Sequence, residues 1–219
     1  MKKSLKTLVA VVLSTMTLAA CSSGTAASST VKLGLNYELS GDVSTYGAGL
    51  VQGIEMAVAE INAAGGVLGK QIELVKADNK SQTDEAANVS ARLATRDKVV
   101  AILGPATSGN VKAALPAAQE NKVPLISASA TADDVTLDSN GKVREYVFKT
   151  CFSDSFQGVT MANFAFNELK FTKAAILRDN TSDYSKGLTK ASPRPSPSWA
   201  DPLSASRLTR PRIPISKPF

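Results

Sequence analysis

The chain has 219 residues, 43% of them hydrophobic, which suits a globular protein of one or two domains and excludes a fibrous or wholly disordered one. Its formal charge of +6 is confined to its ends, because residues 21–190 carry 17 basic and 18 acidic side chains. A near-neutral body with no basic, aromatic-studded face excludes nucleic-acid binding, and a sequence without histidine excludes Ser/His/Asp and Cys/His catalysis and ordinary transition-metal sites.

The elements begin with Met1–Cys21, where Lys2, Lys3 and Lys6, the apolar run Leu8–Leu13 and the small-residue stretch Leu18-Ala19-Ala20-Cys21 follow the order of a secretory signal. The apolar run falls well short of the ~20 residues that span a membrane. Its last four residues resemble the lipobox of bacterial lipoproteins, in which the cysteine is acylated and becomes the mature N-terminus. Residues 1–20 are therefore expected to be a lipoprotein signal peptide, Cys21 the lipidation site and 21–30 a flexible tether, small and polar with no apolar period. Several acyl chains, each buried CH₂ contributing ~0.8 kcal/mol, give durable attachment outside the cytoplasm at the bacterial cell membrane. With Cys21 used in this way, Cys151 has no partner for an intramolecular disulfide.

Val31–Asn36 alternates as a first strand. A helix from Tyr46 to about Ala64 follows, with Leu50, Ile54, Ala57, Val58 and Ile61 on one face, and Gly65-Gly66 ends it. Gln71–Lys76 is a second strand, and Thr83–Arg96 a second helix whose opening acids suit the positive end of a helix dipole. Val99–Leu103 and Pro124–Ile126 read as buried strands on either side of a helix whose apolar face is Val111, Ala114, Leu115 and Ala118. Thr107 and Ser108 stand where its N-cap belongs. A looser segment with Asp133, Asp134, Asn140 and Gly141 leads to a strand near Tyr146–Lys149. Alternation of this kind predicts an α/β fold, a doubly wound parallel sheet, over a lobe spanning 31–150.

A second, incomplete lobe is expected over 151–190, with a helix Phe156–Lys170, a strand Ala174–Leu177 and a helix Asp183–Lys190. Residues 191–219 hold seven of the ten prolines and the only tryptophan, without any period, and read as a disordered tail, the out-of-frame end of a truncated product.

The stretch Gly104–Thr131 carries the candidate site. Ligands of open α/β sheets bind beyond the carboxyl ends of the strands, where helix N-termini direct N–H groups at anions, so a carboxylate is expected near Ser108; an ordinary capped crossover with no ligand is the alternative. Gly47, Gly49 and Gly53, with Asp78 beyond, imitate a dinucleotide fingerprint, but about ten residues separate them from the first strand and close helix packing is the preferred reading.

The lipobox, VKLGLNYELSGDVSTYGAGLVQGIEMAVAEINAAGGVLGKQIELV, AILGPATSGNV, PLISASAT and KTCFSDSFQG together resemble the solute-binding proteins of branched-chain amino acid ABC transporters, over residues 31–190. The resemblance implies a type I periplasmic-binding-protein fold, two α/β lobes that close on an amino acid and hand it to a membrane permease, with no cofactor and no enzymatic activity. It implies Tyr46 at the cleft mouth, Ser108 and Thr131 hydrogen-bonded to the ligand α-carboxylate, backbone groups from Ser129 and Ala130, and Tyr184 lining the cleft from the other lobe. The acidic group that holds the ligand ammonium in relatives has no counterpart in this sequence. The expected function is thus an extracytoplasmic lipoprotein of an ABC importer for leucine, isoleucine, valine or a related amino acid, monomeric, truncated and impaired in binding. An anchored lipoprotein with an adhesive or sensory role and no transport function is the competing reading.

Overall fold

The computed structural model describes residues 30–171 and 173–191. The expected signal peptide, Cys21, nearly all of the tether and the tail from residue 192 lie outside the described residues.

Five strands form one parallel sheet: β1 Val31–Tyr37, β2 Ile72–Asp78, β3 Ala101–Leu103, β4 Leu125–Ser127 and β5 Val147–Lys149, in the order β2-β1-β3-β4-β5. β1 is an inner strand, with Leu33 opposite Leu74 on one side and Ala101 on the other. The chain moves outward from β1 to β2 and then back across to β3. This reversal of direction makes the gap between the carboxyl ends of β1 and β3 a topological switch point, the place where such sheets bind ligands.

Three helices cover the sheet: α1 Ser44–Ala63, α2 Thr83–Thr95 and α3 Ser108–Glu120. Both faces are buried, which is why the strands read as nearly continuous apolar runs. Leu35 and Tyr37 pack with Val51 of α1 and Ala106. On the opposite face Leu93, Ile102, Val111, Ala114, Leu115, Leu125 and Val147 form the larger core. Each fully buried Leu, Ile or Val there stabilises the fold by roughly 1.5–3 kcal/mol relative to exposure. The apolar face expected for α3, Val111, Ala114, Leu115 and Ala118, is buried throughout. The helix also accommodates Pro116 in its interior, on its exposed side.

Three expectations need correction. On α1 the buried residues are Gly47, Val51 and Val58, whereas Ala57 and Ile61 are exposed. The stripe that touches the sheet is set by Gly47, which lies so close to the Glu38 backbone that a Cβ there would overlap the Glu38 carbonyl; Gly49 and Gly53 have nothing within 4 Å of that position. Close packing therefore accounts for one of the three glycines. Second, the helix expected over Phe156–Lys170 is α4, Asp154–Asn163, followed by a π-helical turn over Phe164–Glu168. Third, Ala174–Leu177 is not a strand: among the described residues no strand lies beside it to take its backbone hydrogen bonds, and a lone apolar tetrapeptide cannot form a ladder. A last helix, α5, runs Asp183–Ala191 and packs on α4 and α3, so Ala191 belongs to a helix rather than to the expected tail. Phe156, Phe164, Phe166, Phe171 and Leu177 of this segment are exposed.

Candidate functional site

The site is built at the carboxyl ends of β1, β3 and β4. After β3 the chain turns through Gly104, with φ of +93° and a position where a Cβ would meet the Asn36 carbonyl and the Tyr37 ring, and through a cis Gly104–Pro105 bond. Only glycine allows that approach without strain. The turn brings Ala106 and Thr107 over Glu38, the residue after β1.

Glu38 is fully buried and has four donors. One carboxylate oxygen accepts the Ala106 N–H at 2.9 Å; the other accepts the Thr107 N–H at 3.1 Å, the Thr107 hydroxyl at 2.9 Å and the Asn110 amide at 2.8 Å. An ionised carboxylate can be buried only when it is satisfied in this way, and the N-terminus of α3 adds its favourable dipole. Thr107 is thus the N-cap residue of α3, but its side chain bonds Glu38 instead of capping the helix as its position in the sequence had suggested. Beside it, Asn36 donates to the Ala86 carbonyl at 2.8 Å and to the Ser90 hydroxyl at 2.9 Å, and Asn79 donates to Asn36 at 3.0 Å. All of these side chains are buried. Sequence reading missed Asn36, Glu38, Asn79 and Asn110. The available signal was β1 itself: in a sheet covered on both faces, neither side of N-Y-E at the strand end can reach water, so Asn36 and Glu38 needed buried partners.

Serine hydroxyls lace the two loops together. Ser127 Oγ donates to the Pro105 carbonyl at 2.7 Å, Ser129 Oγ donates to the Ala106 carbonyl at 2.7 Å, and Ser108 Oγ accepts the Ala132 N–H at 3.2 Å. That bond uses an Oγ lone pair of Ser108 and leaves its O–H proton outside it. Thr131 is fixed through its carbonyl, which accepts from Lys149 Nζ at 3.0 Å and from the Asp154 N–H at 2.9 Å.

These loops form one wall of a cleft of about 780 Å³, lined there by Asp42, Tyr46, Ser108, Gly109, Ser129 and Thr131 and on the opposite wall by Phe152, Gln157, Asp179, Asp183 and Tyr184. Five of the six residues singled out from the sequence face this space. Tyr46 stands exposed at the lip, Ser108 and Thr131 lie deep, Ser129 is between them, and the Tyr184 hydroxyl sits 3.3 Å from the Gln157 amide. Ala130 does not reach the cleft. It is fully buried and its N–H is already committed, donating to Ser127 Oγ at 3.1 Å.

The charge distribution is asymmetric. Hydrogen bonds from Lys112 and Lys186 hold the Asp183 carboxyl below the usual carboxylate range. Against the partial burial that would lower it, hydrogen bonds to Asp134 and Asp183 keep the Lys112 ammonium above its ordinary range. Behind Thr131, Asp154 is fully buried, with neither carboxylate oxygen hydrogen-bonded and Gly187 of α5 pressed against it. Burial pushes its carboxyl up and Asp133 and Asp134 add to this, while the neighbouring Thr131 hydroxyl, too poorly placed to make a full hydrogen bond, and Lys149 pull the other way. Among the described residues no group of three His, Cys, Asp or Glu side chains is placed to hold a metal ion, and no helix is long and apolar enough to cross a membrane.

A parallel sheet with a hydroxyl-lined cleft beyond its carboxyl edge is the layout in which open α/β proteins bind their ligands. Residues 30–194 match the periplasmic binding protein family, and the chain belongs to it. It is 31% identical over 188 residues to the Leu/Ile/Val-binding protein BraC3 of Rhizobium johnstonii, covering 86% of this chain and 48% of that protein. To the Leu/Ile/Val-binding protein of Escherichia coli it is 29% identical over 161 residues, covering 74% and 42%. Among solved structures, the branched-chain amino acid transporter substrate-binding protein LivJ of Streptococcus pneumoniae, in complex with isoleucine, superposes with a TM-score of 0.69 at 47% identity, covering 74% of this chain and 45% of that one. The leucine-binding protein LivK of Thermotoga maritima gives 0.68 at 36%, covering 74% and 44%. The chain spans about half the length of the curated relatives it matches. These relatives are solute-binding proteins, not enzymes.

Proposed function

We propose that this chain is the ligand-binding component of an ABC importer for branched-chain or closely related amino acids, held outside the cytoplasm by a lipid anchor at Cys21. The observation that carries the reading is the convergence of Ser108, Ser129 and Thr131 from two loops, with Tyr46 and Tyr184 from either side, on a single cleft. An amino acid α-carboxylate placed there would accept from the Ser108 and Thr131 hydroxyls and from the first N–H groups of α3, which have no acceptor within the helix. Charge-assisted bonds of this kind contribute roughly 1.5–3 kcal/mol each, enough to hold a carboxylate without an arginine. Tyr46 and Tyr184 would cover the aliphatic side chain. The sheet-bearing lobe over 31–150 and the segment 151–190 would act as two jaws, and a ligand touching both favours the closed state by its contacts to each. A membrane permease is the partner that receives the ligand.

The test is a thermal melt of the protein with leucine, isoleucine or valine at millimolar concentration. A ligand that binds the folded state raises the midpoint, and the double substitution Ser108→Ala/Thr131→Ala abolishes the rise. If no amino acid, amide or small peptide in a panel moves the midpoint, the amino acid reading fails. Incorporation of labelled palmitate, lost in Cys21→Ser, tests the anchor separately.

A further inference from the structure

Lys112 lies one helical turn beyond Ser108 on α3, on the same side of the helix, and its ammonium makes two ion pairs. One, at 2.9 Å to Asp134, stays within the sheet-bearing lobe; the other, at 2.7 Å to Asp183, crosses to α5. Asp183 opens α5 and is the residue directly before Tyr184. It is also paired with Lys186 at 2.9 Å, so two cations and two carboxylates form one balanced network. Its central pair is partly shielded, with side-chain exposures of 29% and 26% for Lys112 and Asp183. Isolated surface pairs contribute little because they must order two long side chains in water. Here Asp183 is fixed at a helix start, and Lys112 projects from a helix packed on the core. A second tie runs parallel, where Ser155 donates its hydroxyl and N–H to Asp133 at 2.7 and 3.1 Å, but this joins α4, not α5, to the first wall.

We infer that Lys112 is a positioning residue that keeps Tyr184 against the cleft through Asp183, so that retention of the amino acid depends in part on the Lys112–Asp183 ion pair across the opening. Its consequence for the ligand rests on the proposed function; its consequence for α5 does not. Amide hydrogen exchange of residues 183–191 in the ligand-free protein reads the second directly, because α5 amides exchange by local opening. Lys112→Met and Asp183→Asn should each accelerate that exchange about three- to fivefold. The double variant should exchange no faster than Asp183→Asn alone, since that substitution already breaks the Lys112 pair along with the Lys186 one. Lys112→Arg should stay close to the parent, and Asp134→Asn, which removes the other pair of the same lysine, should leave α5 unchanged. Half-molar salt should reproduce the Lys112→Met effect in the parent and do nothing more in the variant.

The second arm titrates isoleucine into the parent and Lys112→Met proteins, with a weakening of about three- to fivefold expected in the variant. Unchanged α5 exchange in Lys112→Met, or full multiplication of the two single effects, overturns the inference. So does equal isoleucine affinity in parent and variant. Absence of isoleucine binding to the parent overturns the amino acid reading and the retention role with it, while the exchange arm still decides whether Lys112 holds α5.

Discussion

Thr107 gives both its N–H, at 3.1 Å, and its hydroxyl, at 2.9 Å, to one oxygen of Glu38. The residue just after β1 thereby holds the start of the helix that carries Ser108. Removing the carboxylate would strand the Ala106 and Thr107 N–H groups and the Asn110 amide in a dry environment. Glu38→Ala is expected to cost about 3 kcal/mol, from loss of charged hydrogen bonds plus the penalty for the orphaned donors, measured as the shift in urea midpoint at unchanged slope. Glu38→Gln keeps the shape but turns an amide N–H₂ toward existing donors, and should cost less than the alanine variant without restoring the parent.

Gly47 and Gly49 sit two residues apart on α1 and should respond oppositely to alanine. At Gly47 the new methyl meets the Glu38 carbonyl, so a loss of roughly 1–3 kcal/mol is expected from overpacking against backbone. At Gly49 it meets nothing within 4 Å, so higher helix propensity should raise stability by up to about 1 kcal/mol. Denaturant melts of the two variants would refute this account if the two moved in the same direction.

Asp154 carries its burial as a pH signature. Its carboxyl is raised above the usual range in the folded state, so folding takes up a proton between the ordinary carboxylate pKa and the raised one, and Asp154 destabilises the protein least below that window. Asp154→Asn should therefore stabilise the protein at pH 7, with the advantage shrinking as the pH falls toward 4. A variant equally or less stable at pH 7 would show that the ionised carboxylate is satisfied in solution.

Tyr37 marks the alkaline limit. Burial, with the Glu38 charge adding to it, pushes the phenol up to about 12. The folded state keeps the proton that the unfolded chain releases near pH 10, so this contribution is complete below pH 10 and is lost as the pH rises through 12. Up to about 2 kcal/mol should disappear across that interval in the parent and not in Tyr37→Phe. Denaturant melts at intervals between pH 9 and 12 on both proteins check it.

The strands were legible because burial on both faces leaves apolar runs that no surface element shares. The core face of α3 was legible because Val111, Ala114, Leu115 and Ala118 have no competing apolar stripe. α1 was read less well: Ala57 and Ile61 extend its apolar side beyond what the sheet covers, and the backbone contact at Gly47 decides the rotation. Ala174–Leu177 has the composition of a strand, but a strand needs a neighbour, which composition cannot supply. At the site, hydroxyls next to strand ends were visible in sequence, and Ser108, Ser129 and Thr131 do line the cleft. Glu38 was not, since a glutamate after a strand normally signals a solvated loop; its role depends on Asn110, 72 positions away along the chain.

The all-parallel sheet has a practical consequence at its other end. Ser108, Ser129 and Thr131 each follow a strand, whereas the exposed Lys70, Lys98 and Lys122 each stand just before one, ahead of β2, β3 and β4. A dye, a bead linker or a short inserted peptide joined at any of these three would sit a full strand length from the cleft mouth. That edge is the natural handle by which to hold the molecule on a sensor surface.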